Sequence, residues 1–456
     1  MDVFNALQTA VSGLKAQAFS LDNISGNIAN AQTTGFRRVD TTFVDMLTEE
    51  PARTQTSGSV AAYSQLTNTL QGNLTATGVT TNMALNGDGF FVVRTPGTDT
   101  AGQQTFPTGD LYTRRGDFTV DKNGNLVNGA GSYLVGQSLD PLTGQATGDG
   151  VIKISNQAVP AKATTTISYA ANLPKSPTTT SGSTLLGALA GGDVRVLSGS
   201  AATPASVAAS DTDSFLSSSI SGGSLTAYAA DGSPVNLQMR WAKVAAAESG
   251  TGTSDTWNLF YASKTGTTAA ASTWKNVGTA FTFNGSGQIT APTGGTLAIP
   301  GLTVDGTALG TVSLDMSGGL TQYGAASGQI TTNTLQQNGY ASGSLTALAV
   351  TSDGKLTGTY SNGNSLALAQ VGVVRFNAPD ALKATSGGNY AQTVDSGEPL
   401  TGLKGTTIVG GNVEQSNTDT ASEFSKMIIT QQAYSANTRV MSTAQQMMSD
   451  LINIIR

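Results

Sequence analysis

Apolar residues recur along this chain with two different periods. From Phe4 they fall at Leu7, Val11, Leu14, Ala18 and Leu21 and lead through Ser25 to Ile28, a four-three spacing that predicts a helix from about residue 4 to 30. At the other end Phe424, Met427, Gln431, Tyr434, Thr438, Met441, Gln445, Met448, Ile452 and Ile455 repeat the spacing. Ser422 or Thr420 ahead of Glu423 supplies helix-start chemistry there, and no Gly follows Gly411. Between the ends the period shortens to two. Short alternating runs are separated by Asn123-Gly124, Asp231-Gly232, Asn284-Gly285, Asp305-Gly306, Asp353-Gly354 and Asn362-Gly363, each a favoured hairpin turn. The middle is therefore mainly β. Residues 37 to 82 are rich in Thr, Ser and Gln without strong period and read as an extended connector, and 175–183 and 198–210 read as loops.

The terminal helices invite pairing into one coiled-coil-like layer. Each fully buried Leu, Ile, Phe or Met contributes on the order of 1.5 to 3 kcal/mol, so two paired seams yield ~15 kcal/mol gross. Association and ordering cost about 4 to 15 kcal/mol, which leaves an isolated pair near balance. Gln431, Thr438 and Gln445 form a polar column, while Met427, Tyr434, Met441, Met448 and Ile455 form an apolar one. Polar seam positions fix register at a cost in stability. Both an intramolecular helical hairpin and a polymer-forming layer satisfy this pattern.

Composition removes most enzyme chemistry. The 456 residues include neither Cys nor His, so no histidine base, cysteine nucleophile or thiolate or imidazole zinc site can be built. Charged residues make up 11% with a net charge of −6, and no basic cluster exceeds Arg37-Arg38 or Arg114-Arg115, which excludes a nucleic-acid footprint. Arg114-Arg115 reads as a solvated strand end or a subunit contact. Gly87-Asp88-Gly89 lacks the rest of a dinucleotide fingerprint and reads as a turn. Asp121 to Asn125 has its Gly misplaced for a calcium loop, and Asp211 with Asp213 is the only close carboxylate pair in the outer region. No catalytic, cofactor or metal site is expected. No run approaches 18 apolar residues, and the first residues lack the basic and apolar segments of a secretory signal, so neither a membrane span nor a cleavable leader is expected.

Several segments carry a resemblance. Asn27, Ile28, Ala29, Asn30, Ala31, Gln32, Thr33, Thr34, Gly35, Phe36 and Arg37 together resemble the N-terminal signature of the rod and hook family of bacterial flagellar axial proteins. Residues 84–93 and 112–127 are similar to that family's first β domain, and 412–417 with 431–440 to its closing helix. Gly339 to Leu345, Gly358 to Gly363, and Asn389 to Thr393 with Ser396 to Pro399 resemble the hook branch. The resemblance covers about 1–156 and 323–456, and is weak between.

The resemblance implies a non-catalytic hook subunit that polymerises helically into a flexible hollow tube and transmits motor torque from rod to filament. Leu7, Val11, Leu14, Leu21, Ile28, Phe424, Met427, Tyr434, Met441, Met448, Ile452 and Ile455 would then be subunit-interface residues. It further implies partners in other copies of the chain, the distal rod, the hook cap, the hook-filament junction proteins and the flagellar export apparatus, and a location in the extracellular flagellum. The expected domains are 1–36 with 413–456 as a helical axial core, 37–82 as connector, 83–156 with 323–412 as first β domain, and 157–322 as an outer β insertion of one or more subdomains. A distal rod-type protein with an insertion, or a secreted β-rich adhesin or polysaccharide-active enzyme, are the alternative readings.

Overall fold

The computed structural model describes residues 3–46, 59–97, 105–107, 109–190, 193–195, 206–247, 254–266 and 273–455. They form two compact units. The first comprises 1–157, 345–359 and 365–456, and the second 158–344 with 360–364. Part of the loop expected at 198–210 lies outside the described residues.

In the first unit, helix α1 (Val3–Ala29) is followed by strands β1 (Val39–Met46) and β2 (Ser59–Leu66), paired antiparallel from Val39 opposite Leu66 to Met46 opposite Ser59. The segment expected to be an extended connector thus contains a pair of antiparallel strands packed on α1. Phe43, Val44, Met46 and Tyr63 are exposed while Ser59 to Ala62 are half-buried in succession, so neither strand shows the alternating burial that makes a strand legible in sequence. Strands β3 (Leu74–Ala76) and β4 (Met83–Asn86) pair with the returning segments Asn412–Glu414 and Thr407–Gly410. Strand β5 (Phe90–Arg94) lies inside a larger sheet between Tyr133–Leu139 and Leu111–Thr113. Phe91 and Val93 enter one core with Phe118, Leu126 and Leu134, while Phe90 and Val92 enter another with Phe376 and Tyr390. A strand covered on both faces reads as the unbroken apolar run Phe90 to Val93.

The second unit holds a five-stranded and a six-stranded sheet. Both contribute to one core containing Tyr169, Trp241, Trp257, Phe281, Leu302 and Val312. The strand Pro234–Ala245 alternates up to Trp241, and Trp241, Ala242 and Lys243 are then buried in succession. The cause is a second cluster on the sheet's far face, where Phe215, in the short helix α2 (Thr212–Ser217), packs with Ala242, Phe260 and Trp274. Asp305-Gly306 makes a two-residue turn with φ of 50° and 81°, both left-handed as its hairpin requires. At Asn284 the turn is longer and the left-handed position is Gly287, not Gly285. Residues 323–344, expected in the first β domain, fold with this unit, because Thr331–Gln337 pairs antiparallel with Thr166–Pro174.

The chain closes the first unit with helix α3 (Thr420–Ile455). Its N-terminus is capped by Asp419, whose carboxylate accepts from the backbone N–H of Ala421 at 2.9 Å.

Candidate assembly interface

Helices α1 and α3 pack antiparallel. Asn27 Nδ2 donates to Glu423 Oε2 at 3.0 Å at one end, and Gly13 lies against the Asn437 side chain further along. A Cβ added at Gly13 would sit 2.9 Å from Asn437 Nδ2. The buried stripe of α1 is Ala10, Gly13, Ala16, Ser20, Ile24 and Asn27. Small residues dominate it, so the helices approach closely. The facing stripe of α3 buries Glu423, Thr430 and Ala444, with Met427, Ala433, Asn437, Met441 and Met448 half-buried.

On α1 the heptad column read from the sequence flanks this stripe, while on α3 its Met427, Met441 and Met448 lie within it. Leu7, Val11, Leu14, Leu21 and Ile28 are half-buried along the sides of α1. Phe424, Tyr434 and Ile452 are 53%, 41% and 60% exposed, and the Ile455 side chain lies outside the described residues. Ile428, Ile429, Val440 and Met447 are exposed as well. Both long helices thus retain apolar surface after pairing with each other. On α1 the contact is made mainly by Ala, Gly and Ser, which carry little hydrophobic signal, while on α3 Met427, Met441 and Met448 of the apolar column take part.

Beyond α1, the motif residues tie the chain termini together. The Asn27 side chain pairs with the Val39 backbone like a strand, accepting at 2.8 Å and donating at 2.9 Å. Lys426 Nζ reaches Glu423 at 2.8 Å and Asp40 at 3.1 Å. Its partial burial opposes the charge, but the hydrogen bonds to the two carboxylates outweigh that and raise its pKa. Ser20, Ile24, Asp40, Phe43, Lys426 and Ile429 are among the residues lining a cleft of about 430 Å³ where α1, β1 and α3 meet. Of the other motif residues, Ile28, Asn30, Thr33 and Phe36 are half-buried, Ala29 is exposed, and Asn30 Nδ2 donates to the Gly26 carbonyl at 2.9 Å. Gly35 must be glycine: its φ is 67°, and a Cβ would meet the Arg114 backbone at 2.7 Å. Its N–H donates to the Glu414 carbonyl at 2.7 Å.

Glu414 is the centre of a buried charge cluster. Its carboxylate lies 2.7 Å from Arg37 Nη2 and 3.3 Å from Arg114 Nη1, with all three side chains 1 to 3% exposed. It also accepts from the Gly72 N–H at 2.8 Å. Arg37 Nη1 donates to the Leu70 carbonyl, Arg114 Nη2 donates to Gly87 O at 2.8 Å, and the Arg114 guanidinium lies over the Phe90 ring at 5.4 Å. One carboxylate thus joins the segment after α1, the segment before β3, the first β core and the strand before α3. Arg114 is accordingly an internal ion-pair residue, and the solvated or subunit-contact reading of Arg114-Arg115 fails for it. Arg115 pairs with Asp117 at 2.8 Å. Glu414 gave no sequence signal of its own; a lone acid between Val413 and Gln415 is usually a surface residue.

Burial shifts the buried arginines and the buried tyrosines in opposite directions. It lowers Arg37, and lowers Arg114 to about 10 despite the neighbouring Glu414 carboxylate. It pushes the hydroxyls of Tyr390 and Tyr169 up to about 12 and also raises Tyr112, Tyr261 and Tyr360. A phenol with a raised folded pKa contributes stability that is complete below its unfolded value near pH 10 and is lost as pH rises toward 12. A guanidinium with a lowered folded pKa does the reverse as pH rises above its folded value, since the unfolded chain then binds the extra proton. In the first unit Tyr112 and Tyr390 are opposed by Arg37 and Arg114, while in the second Tyr169, Tyr261 and Tyr360 are opposed only by Arg240, which burial lowers. Raising the pH from about 10 to 12 should therefore unfold the second unit first. All three Trp residues, Trp241, Trp257 and Trp274, lie in it, and both long helices lie in the first. Tryptophan fluorescence should change before helical circular dichroism, and coincident transitions would contradict the assignment.

No group of His, Cys, Asp or Glu able to hold a metal occurs among the described residues. No helix among them is long and apolar enough to cross a membrane.

Comparison with known proteins places these features. Residues 7–37 match the family model of the flagella basal body rod protein, 84–170 that of the flagellar hook protein FlgE/F/G D1 domain, 196–340 that of the flagellar basal body protein FlaE D2 domain, and 409–454 that of the flagellar basal body rod FlgEFG protein C-terminal region. The flagellar hook protein FlgE of Salmonella typhimurium is 30% identical over 452 residues, with 98% of each chain covered. That of Brucella abortus is 29% identical over 465 residues, with both chains fully covered. The Helicobacter pylori flagellar hook protein FlgE2 shares the fold, with a TM-score of 0.50 at 14% identity over 73% of this chain and 98% of that one.

Proposed function

Because the chain belongs to the flagellar hook protein FlgE family, we propose that its two long helices form the inner, self-associating layer of a bendable tube. The protein is a structural hook subunit, not an enzyme. The observation that carries the reading is the apolar surface that remains after α1 and α3 pair: Phe4, Phe19, Phe424, Ile428, Ile429 and Ile452 are all exposed. Burying each such side chain against further copies contributes on the order of 1.5 to 3 kcal/mol, which many copies can supply and one chain cannot. The helix pair is read as coiled-coil-like. The hairpin and first β unit form the next shell, and the β insertion faces outward. Torque passes through the apolar inner contacts. The outer β surfaces, with few charges and many Ser, Thr and Gly residues, slide at small energetic cost when the tube bends. On this reading the subunit works outside the cell surface, between the distal rod and the hook-filament junction, beneath a hook cap during growth, after passage through the flagellar export apparatus.

Deleting 420–455 should abolish tubes in electron micrographs of the purified protein while the second unit keeps its tryptophan fluorescence. Tubes formed by the truncated chain would overturn the inner-layer reading. Deleting residues 158–344 should leave assembly intact and alter only tube shape or stiffness.

A further inference from the structure

Asparagine stands directly before glycine six times in the chain, at Asn86, Asn123, Asn128, Asn284, Asn338 and Asn362. In such a pair the glycine nitrogen can close a five-membered ring on the asparagine side-chain carbon, because glycine has no side chain to obstruct the approach. A fold permits that reaction only where three conditions meet. The glycine N–H must be free of an acceptor, the side-chain nitrogen must be free to leave, and water must reach the site.

Four of the six pairs fail the first condition. Gly87 N–H donates to Gln71 Oε1 at 3.2 Å, Gly124 N–H to the Asp121 carbonyl at 3.0 Å, Gly363 N–H to the Tyr360 carbonyl at 2.9 Å, and Gly339 N–H to Gln337 Oε1. Two of these fail the second as well. Asn338 Nδ2 donates to Thr165 Oγ1 at 2.8 Å and Asn362 Nδ2 to the Ala341 carbonyl at 2.7 Å. Asn128 fails the third, being only 3% exposed.

Asn284 meets all three. It is exposed together with Gly285 and Ser286, and neither its Nδ2 nor the Gly285 N–H donates to any group among the described residues. Its side-chain oxygen, by contrast, is held. Oδ1 accepts from the Ser286 N–H at 3.0 Å and from the Gln288 N–H at 2.9 Å. Ring closure places negative charge on that oxygen, and two backbone donors already aimed at it lower the barrier as an oxyanion hole does.

We propose that Asn284 is a self-modifying site, which loses its side-chain amide in the folded protein ahead of the other five Asn-Gly pairs. Hydroxide from solvent removes the Gly285 amide proton, and the nitrogen bonds to Asn284 Cγ. The Cγ–Nδ2 bond breaks, and that nitrogen leaves as ammonia with a proton from water. A second water opens the cyclic imide at either carbonyl and yields aspartate or isoaspartate, so the balance is one water consumed, one ammonia released and one negative charge gained.

The two products differ in consequence. Aspartate keeps an oxygen where Ser286 and Gln288 need an acceptor, and strengthens both bonds by its charge. Isoaspartate runs the backbone through the side-chain carbon and lengthens the turn. Gly287 has no room for that: its carbonyl accepts from the Gln322 N–H at 2.8 Å, and a Cβ on it would lie 2.4 Å from the Gln322 carbonyl. With the bridge between Gln288 and Thr321, this contact ties the six-stranded sheet to the strand Leu320–Tyr323 of the five-stranded one. Isoaspartate at 284 therefore loosens the junction between the two sheets of the second unit.

Peptide mapping by mass spectrometry tests the site on the full chain aged in mildly alkaline buffer. In the folded protein Asn284 should convert about tenfold faster than any other Asn-Gly pair, the advantage of having no glycine hydrogen bond to break. In the chain denatured by guanidinium all six should convert at similar rates. Gly285→Ala should suppress conversion and leave the unfolding temperature of the second unit unchanged, because a Cβ there meets nothing within 4 Å. The aged fraction that an isoaspartyl methyltransferase labels should unfold at a lower temperature than the Asn284→Asp variant. Faster conversion of another pair, rates in the folded chain that parallel those in the denatured one, or undiminished conversion in Gly285→Ala would each overturn the site. Equal unfolding temperatures for the labelled fraction and Asn284→Asp would overturn the loosening of the junction.

Discussion

Replacing Glu414 with Gln is expected to cost the first unit about 3 to 5 kcal/mol, the usual penalty for removing one partner of a buried ion pair. The carboxylate is 1% exposed and lies against two guanidiniums buried as deeply. The amide keeps the shape and removes the charge, which leaves Arg37 and Arg114 as uncompensated buried cations. Part of the loss is positional. Glu414 holds the Gly72 N–H, and its own strand pairs Leu74, so α3 is fixed relative to α1 through this point. Denaturant unfolding followed by helical circular dichroism reads the effect, because α1 and α3 belong to the first unit. A loss below about 1 kcal/mol, typical of exposed pairs, would show that water screens the cluster. Replacing all three residues together by Met or Leu should recover much of the loss, since well-packed apolar groups often match a buried ion cluster in stability.

Trp241→Ala should destabilise the second unit by about 3 to 5 kcal/mol, as large-to-small changes of buried aromatics do. Trp241 is fully buried, and its ring packs edge-on to Phe281 at 4.7 Å. Its indole N–H donates to the Tyr169 hydroxyl at 3.0 Å, which in turn donates to the Gly222 carbonyl at 3.0 Å. The substitution opens a cavity and strips Tyr169 of a donor. Trp241→Phe should cost clearly less, because it fills most of the space and forfeits only that hydrogen bond. Fluorescence from Trp257 and Trp274 reports the unfolding midpoint. Equal losses for the two variants would mean that the hydrogen bond, not packing, dominates.

How much of this was legible before folding differs element by element. The terminal helices were readable because their apolar positions keep a helical period for many turns, and the β character of the middle because Asp305-Gly306 and its kin demand left-handed turns. Phe90 to Val93 is an unbroken apolar run, and the structure shows that both faces of that strand are covered. The hairpin of β1 and β2 gives little sequence signal because its burial does not alternate: Ser59 to Ala62 are half-buried in succession and Phe43 to Met46 are exposed in succession. The helix contact fell on Ala10, Gly13, Ala16 and Ser20, because close approach favours small side chains and these give no hydrophobic periodicity.

Sequence alone determined the period of each segment, the exclusion of histidine and cysteine chemistry, and the family motifs at both ends, since all of these are local or compositional. Tertiary structure decided which stripe of α1 meets α3, that Arg114 turns inward, and that Glu414 gathers segments up to 377 residues away in sequence. These are consequences of long-range strand pairing. A charge in a sequence has no environment until the strands beside it close, and only then can burial and a single carboxylate fix two arginines in place.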